Sequence, residues 1–191
     1  GPRAEARSVV EYANLCDQEC RYCGMARNSG IARYVLSSEE FAHQVSQLHA
    51  AGRRVIMVQT GECGSNPFFD RLLTDLSLAT SRYSEITWVF AFGSLDWNKY
   101  EALRQLGDHR YLLKIESSSS ELYARSKPSD TLESRIEHLH LLQDLGFAVS
   151  TGNITGLPGQ STDDLAGDLL FLKSLHIPMV SAAPFVPNDV S

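Results

Sequence analysis

The chain has 191 residues, 43% hydrophobic and 21% charged, the balance of one soluble globular domain over residues 1–191. Its formal charge of −6, from 17 basic against 23 acidic residues with no basic run, excludes a nucleic-acid or anionic-membrane surface as the working face. No stretch approaches the ~20 apolar residues of a membrane span and no secretory h-region opens the chain, so a cytoplasmic protein is expected.

Residues 8–14 read as the first strand. Directly behind it stand three of the four cysteines, in Cys16-Asp17-Gln18-Glu19-Cys20-Arg21-Tyr22-Cys23. Cysteine thiolates are the usual ligands of iron–sulfur clusters. Three of them on a [4Fe–4S] cube would leave one iron open to a substrate or cofactor. Structural zinc is the competing reading, with Cys63 or one of the six histidines as fourth ligand. Zinc ligands usually come as spaced C-x2-C pairs, however, and no second pair exists. Clustered cysteines without paired partners also fit a reducing compartment. Tyr22, inside the loop, either packs against the sheet or lays an aromatic face beside a cofactor.

A helix over residues 39–50 opens with Ser37-x-x-Glu40, a capping box, and closes ahead of Gly52. The second strand, 55–59, runs into Thr60-Gly61-Glu62, and the third, 86–92, into Gly93-Ser94. After a helix closed by Gly107 comes a strand over 111–116 that ends in Glu116. Asp130-x-x-Glu133 resembles another helix start, leading to 145 and Gly146. The fifth strand, 148–154, leads into Thr155-Gly156-Leu157-Pro158-Gly159. Ser161-x-x-Asp164 caps a helix over 163–175, and the last strand is 179–183.

The candidate strands are 5–7 residues long and rich in Val, Ile, Leu or aromatics, as strands buried on both faces are. Alternation of six strands with five clear helices means parallel strands and right-handed crossovers, hence an α/β fold, doubly wound or barrel-like. The polar and glycine motifs follow the strands one by one, so they gather at one C-terminal rim, where barrel enzymes place their sites. The G-x-G-x-x-G of a dinucleotide-binding fold is absent. A partial (β/α)6 TIM-like barrel is therefore expected. The chain opens Gly1-Pro2-Arg3 rather than with Met and stops soon after Pro184-Phe185-Val186-Pro187, so a core truncated at its C-terminus is expected.

Each remaining motif has a bland reading. Gly61-Glu62 can be a turn with a solvated carboxylate, and Glu116 with Arg135 an exposed salt bridge worth at most about 1 kcal/mol. Residues 156–159 are most economically a strand-to-helix turn. Cys63 is by default a free, partly buried thiol. His138 and His140 lie two apart on a helix and face different directions.

C-x3-C-x-aromatic-C just after a first strand resembles the signature of the radical S-adenosylmethionine (SAM) enzymes. The resemblance implies a (β/α)6 partial barrel, with a [4Fe–4S] cluster on Cys16, Cys20 and Cys23 and SAM chelating the open iron. Cleavage by one electron then gives methionine and a 5′-deoxyadenosyl radical. It implies Glu62, with Gly61, as acceptor for the SAM amino group, Glu116 and Arg135 as further SAM contacts, Gly156 near the adenine and Tyr22 beside the cofactor.

Further stretches narrow the likeness. Ala32-Arg33-Tyr34-Val35-Leu36-Ser37-Ser38-Glu39-Glu40, Val58-Gln59-Thr60-Gly61-Glu62, Arg110-Tyr111-Leu112-Leu113-Lys114-Ile115-Glu116 and residues 156–165 resemble the HydE family of [FeFe]-hydrogenase maturases. That resemblance implies a role in assembling the hydrogenase active site. The expected substrate is a small molecule, a cysteine-bound iron carbonyl–cyanide complex, and the electron donor an external flavodoxin or ferredoxin. Thr60, Ser117 and Thr155 are candidate substrate contacts. The chain departs from HydE at residues 63–69 and at Ile115. The alternatives are a mutase or sulfur-inserting enzyme resembling methylornithine synthase or biotin synthase, and a non-catalytic iron–sulfur or zinc protein.

Overall fold

The computed structural model describes residues 5–187, so the opening Gly1-Pro2-Arg3 lies outside the described residues. Strands β1 (Arg7–Glu11), β2 (Val55–Gln59), β3 (Thr87–Ala91), β4 (Arg110–Leu112), β5 (Ala148–Thr155) and β6 (Met179–Pro184) form one sheet in chain order, every pairing parallel. A doubly wound sheet must reverse its strand order at a switch point. This sheet never does, so every crossover winds the same way, as in a barrel. Arg7 on β1 reaches the sulfur of Met179 on β6 across the opening, so the two edges curl toward each other into a half-barrel.

The connecting helices are α1 (Ser38–Ala50), α2 (Asn66–Arg82), α3 (Trp97–Arg104), α4 (Ser120–Ser126), α5 (Leu132–Asp144) and α6 (Thr162–Ser174). No helix among the described residues is long and apolar enough to cross a membrane. The core lies between sheet and helices. Val10, Ile56, Val58, Trp88, Phe90 and Tyr111 point outward from the strands. They meet Phe41 and Val45 of α1, Leu72 and Leu76 of α2, Tyr100 and Leu103 of α3, and Leu139 and Leu142 of α5. Burying such side chains stabilises the fold by about 1.5–3 kcal/mol each.

The boundaries expected from sequence hold in most places. Ser37 and Ser161 close reciprocal capping boxes with Glu40 and Asp164. Three differences have physical causes. The strand expected over 8–14 ends at Glu11, because Ala13 bridges antiparallel to Val35 and turns the chain toward the cysteines. The strand expected over 111–116 is regular only to Leu112. Its tail still follows β5, but Glu116 sits at φ 62°, which breaks the pleat while its carbonyl accepts from Ile154 N at 2.8 Å. Helix α5 is capped by the Thr131 side chain, not by Asp130, whose carboxylate is used elsewhere.

Candidate active site

The C-terminal ends of the strands surround a cavity of about 220 Å³ lined by Cys16, Cys20 and Cys23 together with Gly61, Glu62, Glu116, Lys127 and Arg135. The cysteine loop is pressed against the end of β2. Asp17 N donates to Glu62 O at 2.8 Å and Gly64 N donates to Asp17 Oδ2 at 2.7 Å. A Cβ on Gly61 would lie 2.3 Å from Leu15 O and 2.5 Å from Cys16 Cβ, so only glycine lets the loop approach this closely. Cys20 is buried, and Cys16 and Cys23 are half-buried. Burial pushes the Cys20 thiol up to about 11 and raises Cys23 as well.

Beside the cysteines lies a buried charge network. Arg135 Nη2 donates to Glu62 Oε2 at 3.0 Å and to Asp130 Oδ2 at 2.7 Å, and its Nε donates to Tyr123 Oη at 3.2 Å. Lys127 Nζ lies 3.3 Å from Asp130 Oδ2 and 3.6 Å from Glu62 Oε1. Burial alone would raise the Asp130 carboxyl, but Arg135 and Lys127 outweigh it and hold the group below its ordinary range. Burial likewise opposes charge on Arg135, yet Glu62, Tyr123 and Asp130 keep the guanidinium protonated. Breaking one partner out of such a buried cluster costs about 3–5 kcal/mol.

The sequence pairs Glu116 with Arg135; the structure does not. Arg135, 3% exposed, is spent on Glu62 and Asp130, so it is no exposed surface bridge. Glu116 pairs instead with Lys114, two residues back on the same face, at 3.0 Å. Both line the cavity. Tyr22 packs against Leu122, Ile154 and Leu157 beside Phe185, and it also lines the cavity. Burial first, then Glu116 and Cys20, raise its hydroxyl well above the ordinary tyrosine value.

The remaining expected residues scatter. Thr60 lines the cavity, but its hydroxyl donates to Gly61 O at 2.6 Å. Ser117 is fully buried with its hydroxyl turned to Asp168 Oδ1 at 3.3 Å, and Thr155 donates to Ala183 O at 3.4 Å, so neither lines the cavity. Gly156 has φ 87° and nothing within 4 Å of a Cβ, so its turn requires glycine through backbone angle rather than crowding. Its N–H donates to Gln160 Oε1 at 2.6 Å. Cys63 is half-buried and outside the cavity lining.

Sequence reasoning missed Lys127, Asp130 and Lys114 as site residues. Lys127 and Asp130 sit in a short polar stretch that reads as a solvated loop; its proline, Pro128, is the one sign of a fixed path. Gly93, at φ 75°, makes room for Glu62: a Cβ there would lie 2.3 Å from Glu62 Oε2.

Residues 10–172 match the family described as the Radical SAM superfamily. The chain is 31% identical over 190 residues to the "[FeFe] hydrogenase maturase subunit HydE" of Thermotoga maritima, covering 98% of this chain and 53% of that protein. It is 22% identical over 193 residues to the 3-methylornithine synthase of Methanosarcina acetivorans, covering 99% of this chain and 54% of the relative. The crystal structure of methylornithine synthase (PylB) superposes with a TM-score of 0.91 at 20% identity, over 99% of this chain and 56% of the other, a likeness of fold. The chain thus spans about half the length of the curated relatives it matches. A matched family over most of the chain and a half-barrel with three cysteines at its rim agree: this chain belongs to the radical SAM superfamily.

Proposed function

We propose that this chain is the core of an enzyme that reductively cleaves SAM at a [4Fe–4S] cluster held by Cys16, Cys20 and Cys23. Membership of the superfamily implies both groups. The donor set fits the cluster: three thiols line one cavity, and Cys63 stays outside its lining. Once bound, the cluster supplies the one electron that splits the sulfonium into methionine and a 5′-deoxyadenosyl radical.

The observation that carries this reading is the buried Glu62–Arg135 contact in the cavity that the cysteines line. An amino-acid zwitterion needs a carboxylate for its ammonium and a guanidinium or ammonium for its carboxylate. Glu62 and the Arg135–Lys127 cations present both within one hydrogen-bonded cluster. A zwitterion entering there exchanges partners with an existing ion pair, so no charge is left buried alone. Glu116, Gly156 and the Tyr22 ring serve the nucleoside end. Arg135 and Lys127 are each 3% exposed, and that burial strengthens their electrostatic contacts.

The similarity to HydE supports a maturase-like role in [FeFe]-hydrogenase assembly. The substrate would be a small anionic molecule, such as the cysteine-bound iron carbonyl–cyanide complex, entering beside Lys114, with an external flavodoxin or ferredoxin as donor. The test is anaerobic reconstitution followed by dithionite and SAM. 5′-Deoxyadenosine is expected, and Cys20→Ala should lose both the cluster's visible absorption and the product. A protein that binds zinc, or forms no 5′-deoxyadenosine, contradicts the proposal. Product analysis with the iron complex added, set against a search for methylornithine, separates a maturase from a methylornithine-synthase-like mutase.

A further inference from the structure

Lys127 stands out among the charged groups of the site. It is 3% exposed, projects from the link between α4 and α5, and lines the same cavity as the cysteines. Its Nζ donates to Gln18 Oε1 at 2.7 Å. Gln18 lies between Cys16 and Cys20, so this contact crosses 109 residues of sequence to hold the middle of the cysteine loop. Three more bonds join the same two segments. Ser129 Oγ donates to Gln18 Oε1 at 2.7 Å, Glu19 N donates to Ser129 Oγ at 3.1 Å, and Arg21 N donates to Ser126 O at 2.8 Å.

A staple alone would not need a charge. Burying an ammonium is expensive, and a neutral side chain could donate the same bond to Gln18 without that cost. Two cations, Lys127 and Arg135, share two carboxylates, Asp130 at 3.3 Å and Glu62 at 3.6 Å from Lys127 Nζ, so removing the Lys127 charge leaves the network net negative beside the cysteines. Arg135 has its own guanidinium committed to those acids and to Tyr123, whereas the Lys127 amine also reaches over the loop.

We propose that Lys127 is a positioning residue that acts through its charge. It fastens the cysteine loop to the Glu62–Asp130–Arg135 network and makes the cluster held by that loop easier to reduce. The proposal rests on the radical SAM reading above. Reduction adds an electron to the cluster, and a positive charge in the lining of the same poorly screened cavity favours the reduced state. The same residue contacts Glu62, so loop position and the SAM amino-acid subsite are tied through one side chain.

The test uses the whole chain, reconstituted anaerobically as wild type, Lys127→Gln and Lys127→Arg. Iron and sulfide content, visible absorption and an EPR-monitored reductive titration without SAM are measured on each. Lys127→Gln keeps a donor for Gln18 and loses only the charge. It is expected to load its cluster and to show a reduced-to-oxidised ratio about tenfold lower at a fixed poise, 59 mV for one electron. Lys127→Arg is expected to return to within about threefold of wild type, as it also is if Lys127→Gln fails to load. A Lys127→Gln cluster with an unchanged titration overturns the proposal. So does loss of loading in both variants, because shape and not charge is then what matters. A wild-type chain that takes up no such cluster sinks the radical SAM reading itself, a separate outcome.

Discussion

Gly93 follows β3 at φ 75°, and a methyl group on it would sit 2.4 Å from Glu62 Cγ. Two constraints therefore meet at one residue: a left-handed backbone and space for the Glu62 carboxylate. Gly93→Ala should cost about 1 kcal/mol of stability for the backbone angle. It should also weaken SAM binding by at least about tenfold, because Glu62 must leave its place beside Arg135. Equilibrium dialysis with labelled SAM on cluster-loaded protein checks this; unchanged affinity would detach Glu62 from the amino-acid subsite. At this scale the sequence is informative where spacing carries the chemistry. Cys16, Cys20, Cys23 and Glu62 are readable because a loop of eight residues, or a strand end, brings them to the rim by itself. Lys127, Asp130 and the true partners of Arg135 are not readable. They reach the site through side-chain conformations, and no local periodicity encodes which carboxylate a guanidinium selects.

Helix starts are the most legible elements, because a capping box is a local contract between two side chains and two backbone N–H groups. Ser37 accepts from Glu40 N at 3.1 Å while Glu40 accepts from Ser37 N at 2.7 Å. Ser37→Ala should therefore destabilise the protein by about 1 kcal/mol, visible as a lower denaturant midpoint at an unchanged slope, with no effect on SAM affinity. The start of α5 falls one residue later than its sequence suggests, since Asp130 and Thr131 are both good caps. Tertiary structure decides: Asp130 is drawn inward by Arg135, and Thr131 is left to accept from Ser134 N at 3.1 Å. The early end of β4 belongs to the same class, for a left-handed Glu116 leaves no trace in hydrophobic pattern.

For the whole molecule, strict β–α alternation with a special residue after every strand is enough to separate a barrel from a doubly wound sheet, and the strand order agrees. Six apolar runs dictate parallel pairing because each return path is helical, with α4 and α5 together between β4 and β5. The molecule also carries a pH signature that only packing creates. Burial lowers His109 beneath the ordinary value, and burial together with Arg135 lowers His138. Both are neutral in the fold and gain protons on unfolding. Their contribution is complete above about pH 6.5 and is lost as pH falls from there toward their folded values. The melting temperature should fall between pH 7 and pH 5, and His109→Gln with His138→Gln should flatten that fall; a slope unaffected by both substitutions would contradict the assignment.

The most direct measurement on the central claim is electron–nuclear double resonance of the reduced cluster with SAM labelled at its amino nitrogen and carboxylate oxygen. An open iron corner held by Cys16, Cys20 and Cys23 predicts hyperfine coupling to both labels, lost in Arg135→Met as the carboxylate slips away. A cubane signal with no coupling to either label would mean that SAM does not bind at that iron, and would contradict the account.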